Sequence, residues 1–151
     1  PIARAVVAAR TESAIETSEE LNRIVEAVVP RVPGKQSGHP AKRVYQALRI
    51  AVNDELEILR RAIPAAIAAL APQGRIVVMS YHSLEDAIVK AEFQRQSVSS
   101  TPIELPVELP GTAPKLKVLT KGAERATEFE LSQNPRAASA RLRAAEKLED
   151  R

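Results

Sequence analysis

Apolar positions recur at helical spacing from the start of the chain. Ile2, Ala5, Val6 and Ala9 trace one stripe with no capping residue ahead of them, which reads as a cut end. Thr17 precedes Glu20 by three positions, the spacing of a capping box, and Leu21, Ile24, Val25 and Val28 continue as a stripe up to Pro30. The pattern predicts a helix over 18–29 and a loop over 31–38, where Pro, Gly, Gln and Ser occur without periodicity. Pro40 suits a first helical turn, and Val44, Leu48, Val52, Leu56, Leu59 and Ile63 recur at spacings of three and four. One long helix packed along that stripe is expected, with a kink or restart at Pro64 and a continuation to Leu70.

Beyond Pro72, Gln73 and Gly74, the run Ile76, Val77, Val78 and Met79 is apolar at every position, as in a central strand covered on both faces. Ser83 and Asp86 have capping-box spacing, so the next helix is expected to start after Ser83 with Leu84, Ile88 and Ala91 as its apolar side. Helix, buried strand, helix is the unit of a doubly wound α/β sheet. Residues 96–114 are Ser-rich and then Pro-rich, an extended connection. A strand is expected over 116–120, and a short helix capped by Thr127 through Ser132. Asn134 and Pro135 mark a turn, and the tail holding Ala140, Leu142 and Ala144 fits strand or helix.

Composition narrows the function classes. The 151 residues are 44% hydrophobic and 27% charged, with no apolar run near the roughly 18 residues of a membrane span, so a soluble globular chain is expected and no membrane partner. Cysteine is absent and the imidazoles are His39 and His82, so disulfides, thiol nucleophiles and thiolate metal sites are excluded and no metal site is expected. No secretory signal pattern opens the chain, which makes the cytoplasm the default location. With 3% aromatics, a stacking platform for single-stranded nucleic acid is nearly excluded. The net charge of +3 is unevenly placed: Arg31, Lys35, Lys42, Arg43 and Arg49 form an acid-free run, and Arg136, Arg141, Arg143 and Lys147 follow near the end. Such clusters suit phosphate contact, although a merely solvated surface is the ordinary alternative.

In open α/β sheets ligands bind beyond the carboxyl ends of strands, which places Ser80, Tyr81, His82 and Ser83 at the candidate edge. His82 could donate, accept or contact phosphate there; the competing reading is a satisfied structural histidine with Ser83 and Asp86 as caps. His39 is a candidate on the same terms, beside a helix start. No phosphate loop, Gly-rich dinucleotide fingerprint or serine elbow is present.

Three strings carry a family resemblance: HPAKRVYQALRIAVNDEL at 39–56, APQGRIVVMSYHSLEDAIVK at 71–90 and NPRAASARLRAAEK at 134–147. Together and in this order they resemble the bacterial 16S ribosomal RNA cytosine-N4 methyltransferases. The resemblance implies an S-adenosylmethionine-dependent enzyme with a Rossmann-like class I methyltransferase domain and a helical insertion that recognises RNA. It implies α/β architecture here: 1–38 as the end of the insertion, 39–95 as long helix, buried strand and helix of the catalytic domain, 96–114 as a connection and 115–151 as a terminal β-hairpin region. The tail then becomes a strand antiparallel to the one at 116–120. The family's Gly-rich and acidic cofactor motifs have no counterpart, so the chain is expected to be a C-terminal fragment, inactive alone, with its cofactor bound mainly by the missing half.

Substrate-pocket candidates are then His39, Asn53, Ser80, His82 and Ser83. Candidates for contact with 16S ribosomal RNA in the small subunit are Arg31, Lys35, Lys42, Arg43, Arg49, Arg136 and Arg141. Lys42 stands where the family more usually has Thr, and Ala87 and Ala138 where it often has Arg, which changes individual RNA contacts and not the fold. A non-catalytic RNA-binding or ribosome-assembly module is the alternative.

Overall fold

A computed structural model describes residues 1–29, 39–102, 104, 105, 107, 109 and 111–149, arranged in two compact units, Pro1–Glu55 and Leu56–Arg151. Arg31 and Lys35 lie outside the described residues.

The first unit is helical: α1 (Ile2–Glu12), α2 (Ser18–Val28) and α3 (Lys42–Asn53). The box at α2 forms as its spacing predicts, with the Glu20 amide donating to Thr17 Oγ1 at 3.2 Å and the Thr17 amide donating to the Glu20 carboxylate at 3.1 Å. Its stripe buries Leu21 and Val25 with Ala41, and Ile2, Val6, Ile15 and Val44 pack around them.

The predicted long helix is two helices. It stops at Asn53, where Asp54 takes a left-handed conformation (φ 52°) that Asp tolerates better than most residues. Pro64, expected to break the helix, sits inside α4 (Glu55–Ala69). The ring removes the amide that would bond the Arg60 carbonyl, and Arg60 is exposed, so water can take that acceptor. The expected stripe is divided with the helix. Val44 packs in the first unit and Leu59 and Ile63 in the second, while Leu48 and Val52 between them are exposed.

The second unit continues with β1 (Arg75–Ser80), α5 (Ser83–Gln96), β2 (Leu116–Val118), α6 (Glu128–Gln133), a 3-10 turn at Pro135–Ser139 and β3 (Arg141–Lys147). The strands form one antiparallel sheet in the order β1-β3-β2, pairing Ile76 with Ala145, Val78 with Arg143 and Leu116 with Lys147. The tail is therefore a strand, as the family resemblance implies, and it lies at the centre of the sheet.

One sheet face carries Ile76, Val78, Ala145 and Leu116 against Ile63 and Ile67 of α4 and Val89 and Phe93 of α5. Lys147 reinforces this junction, its Nζ donating to the Leu70 carbonyl at 2.7 Å where the last carbonyls of α4 lack helical partners.

Two expectations are corrected. Among the described residues β1 is an edge strand, and its alternate positions Val77 and Met79 are 59% and 52% exposed, so it is covered on one face only. The buried face of α5 is Asp86, Val89 and Phe93, whereas Leu84 is exposed. The stripe Leu84, Ile88 and Ala91 instead borders a shallow groove of about 480 Å³ with Leu56 and Arg60.

Candidate functional site

The carboxyl end of β1 gathers most of the expected residues of the second unit. Ser80 is buried there, paired in register with Arg141 on the central strand, and Tyr81, His82 and Ser83 form the turn into α5. Arg136 lies exposed in the 3-10 turn that leads into β3.

The cap of α5 is His82, one residue earlier than the spacing suggested. Its Nδ1 accepts from the Glu85 amide at 3.3 Å, and Glu85 Oε2 accepts from the amides of His82 (3.1 Å) and Tyr81 (2.8 Å). Ser83 and Asp86 therefore do not form the box: Ser83 is the first helical residue and Asp86 faces the sheet. Histidine can fill this place because Nδ1, two bonds from Cβ, reaches the same amide as a serine hydroxyl.

An accepting Nδ1 puts the ring proton on Nε2. That atom is buried without a hydrogen-bond partner, and Glu85 Oε1, though 3.2 Å away, lies outside hydrogen-bonding geometry. The structural reading of His82 therefore holds, although His82 itself and not Ser83 is the cap, and its Nε2 is held against the Glu85 carboxylate.

His82→Ala is expected to cost about 1 kcal/mol by loss of the cap. Ser83→Ala should stay within about 0.5 kcal/mol, as an exposed residue with no cap bond. Urea denaturation of both variants checks this, and equal losses would contradict the assignment.

Asp86 is the residue that sequence reasoning missed. Arg143 meets its carboxylate through two donors, Nε at 2.6 Å and Nη2 at 3.1 Å, and Arg141 Nη1 stands 3.6 Å from Oδ2. The Arg143 hydrogen bonds, joined by the charges of Arg141 and Lys90, outweigh burial and hold the carboxyl below the ordinary aspartate range. The signal available was the alternation of arginines at 141 and 143 on a strand, which puts both guanidiniums on one face and requires an anion there.

The first-unit candidates are separate. His39 accepts from the Ala41 amide through Nδ1 (3.1 Å) and meets Glu26 through Nε2 (2.8 Å), so it fastens the start of α3. At the other end of α3, Asn53 and Arg49 both bond Glu55, at 3.0 and 3.2 Å. Lys42 and Arg43 are exposed on the first turn of α3.

The described residues do not fit S-adenosylmethionine. The β1–α5 turn has side chains at Tyr81, His82 and Ser83 where a backbone cradle would need open space, and no carboxylate there is free for a ribose. A cavity of about 500 Å³ in this unit adjoins Arg95, Gln96 and Lys115, at the far end of α5 from this turn.

The family model described as the MraW methylase family matches residues 1–148. Among curated proteins, the ribosomal RNA small subunit methyltransferase H of Pseudarthrobacter chlorophenolicus is 58% identical over 99% of this chain and 46% of its own length. The proteins of that name from Kocuria rhizophila and Mycobacteroides abscessus are 56% and 53% identical over 99% of the chain, which covers 46% and 39% of them. The chain thus spans less than half the length of these relatives, yet the family model runs through both units, from α1 to the end of the central strand, and the chain belongs to the MraW methylase family.

Proposed function

We propose that the protein to which this chain belongs transfers a methyl group from S-adenosylmethionine to the exocyclic N4 of a cytidine in 16S ribosomal RNA of the small subunit, in the cytoplasm. The observation that supports methylation of small-subunit ribosomal RNA is the identity of 52 to 58% to proteins named ribosomal RNA small subunit methyltransferase H over nearly the whole chain, and the cytidine N4 rests on the resemblance of the three strings at 39–56, 71–90 and 134–147. The cofactor, which supplies the electrophilic methyl when bound, is assigned to the part of the protein outside this chain. Residues 1–38 are then the end of an RNA-recognising insertion, with the catalytic domain resuming at His39.

In this reading the chain contributes structure and RNA contact. Ser80, His82 and Ser83 form the strand end and turn beside which a base lifted from its stack would be received, with the exposed Ser83 at its surface. Arg141, restrained but not saturated by its 3.6 Å contact with Asp86, and the exposed Arg43, Lys42 and Arg136 supply phosphate contacts.

Two measurements test this. Calorimetric titration of the isolated chain with S-adenosylmethionine should give no binding, and one-site micromolar affinity would contradict the division of labour. The chain should nonetheless bind single-stranded RNA weakly and with salt dependence. Lys42→Ala with Arg43→Ala should flatten the slope of log affinity against log salt by about 1.4, since each phosphate that a cation no longer neutralises removes about 0.7. An unchanged slope would assign that pair to ordinary solvation.

A further inference from the structure

On the second unit, away from the turn that holds His82, a cavity of about 190 Å³ lies between α5 and the residues that follow β2. Lys90, Lys121 and Arg143 line it together with Thr120 and Phe93, and no carboxylate is among its lining residues. Asp86, which matches Arg143 from behind, also faces Arg141 and Lys90, so a single anion serves three cations before Lys121 is counted. The ion pairs found among the described residues engage neither Lys90 nor Lys121.

Burial separates this place from a solvated row of lysines. Thr120 is 7% exposed and its Oγ1 accepts from the Ala144 amide at 3.3 Å, which leaves the hydroxyl proton to donate. The Arg143 side chain is 13% exposed and fixed by its two bonds to Asp86. Its direction is therefore set before any ligand arrives, and less ordering entropy is lost on binding.

We propose that this cavity is an anion site that holds one backbone phosphate of bound RNA, a contact additional to those of the basic α3 and tail residues. The volume decides against a larger guest, since pockets for small organic ligands run about 300 to 1,000 Å³. A phosphate, with oxygens for two ammonium groups and one hydroxyl, matches the lining chemically. The RNA source rests on the function proposed above; the affinity for phosphate itself does not.

The test has two arms on the intact chain, one with inorganic phosphate and one with a single-stranded RNA oligonucleotide. Millimolar phosphate should shift the amide resonances of Thr120, Lys121 and Gly122, and Lys90→Ala with Lys121→Ala should abolish the shifts while Lys117→Ala leaves them. In the RNA arm, followed by fluorescence anisotropy, the double variant should lower the salt slope by about 0.7, the value for one phosphate contact. Lys121→Gln alone provides a second variant, and circular dichroism confirms that each is folded.

Absence of phosphate-induced shifts together with an unchanged slope overturns the site. Phosphate shifts with an unchanged slope overturn RNA as the source and leave a site for free phosphate. If the unaltered chain binds no RNA while phosphate still shifts these amides, the RNA reading of the function fails and the anion site stands.

Discussion

Asp86→Ala should destabilise the second unit by about 3 to 5 kcal/mol, the cost of removing one partner from a buried ion pair. An exposed pair would be worth only about 0 to 1 kcal/mol, so burial decides the magnitude. Asp86 is 8% exposed and bonds Arg143 through both carboxylate oxygens, and its removal leaves Arg143, Arg141 and Lys90 facing one another without an anion. Asp86→Leu combined with Arg143→Met should recover much of the loss, because it removes the two most buried charges together and keeps the volume, while Arg141 and Lys90 retain access to solvent.

The pair also sets a pH dependence. Its hydrogen bonds from Arg143 depress the Asp86 pKa on folding, so the unfolded chain binds the proton more readily. The stabilisation is therefore complete above the unfolded aspartate value of about 3.9 and is lost as pH falls through the lower folded value. Urea titrations at neutral pH and at several points below about pH 4 should show that Asp86→Ala flattens this acid limb. A loss under about 1 kcal/mol at neutral pH would show that solvent screens the pair as it does at a surface.

Phe93→Ala should cost about 3 to 5 kcal/mol, by the lost transfer of the ring and the cavity left behind. Phe93 is 2% exposed and shares its cluster with Ile63, Ile67, Val89, Leu116 and Ala145, so elements from α4 to β3 lose a common neighbour. Domains of ordinary stability hold only about 5 to 15 kcal/mol in all, so the variant should lose a large share of its stability and melt at a clearly lower temperature. Leu84→Ala on the same helix should change stability little, since Leu84 is 51% exposed. Thermal unfolding of the two variants side by side discriminates the buried face of α5, and comparable losses would restore Leu84, Ile88 and Ala91 as its packed side.

That reversal on α5 shows where sequence reasoning stopped. Hydrophobic periodicity finds a buried face only when the face is apolar, and here one of its three buried residues is a carboxylate whose partners lie 55 and 57 positions later. The box at Thr17 was legible because Thr and Glu are standard members of it, while the box at the head of α5 uses a histidine, which shifted its reading by one residue.

The break at Asp54 had no signal as strong as Pro64, yet a left-handed Asp ends a helix more completely than a proline whose missing bond is at the solvent side. The strand at Arg75–Ser80 was legible, but not its edge position. Apolar residues on both faces predict cover on both, and the described residues supply it on one. The strand form of the tail came from family resemblance, since alternation over Ala140, Leu142 and Ala144 did not separate strand from helix. Of the candidate site, Ser80, His82 and Arg141 do meet at one strand end, whereas His39 and Asn53 are engaged at opposite ends of α3.

The central claim, that this chain is a working part of a ribosomal RNA methyltransferase, can be measured in a chimera. In the Pseudarthrobacter chlorophenolicus relative, the 46% of the protein that this chain matches would be replaced by the chain itself. The chimera would be purified and incubated with small ribosomal subunits that lack the modification and with tritiated S-adenosylmethionine, and the digested RNA examined by mass spectrometry. Label recovered as N4-methylcytidine in 16S ribosomal RNA is the predicted result. A chimera that melts cooperatively and binds the cofactor, yet transfers no methyl group to that RNA, would contradict it.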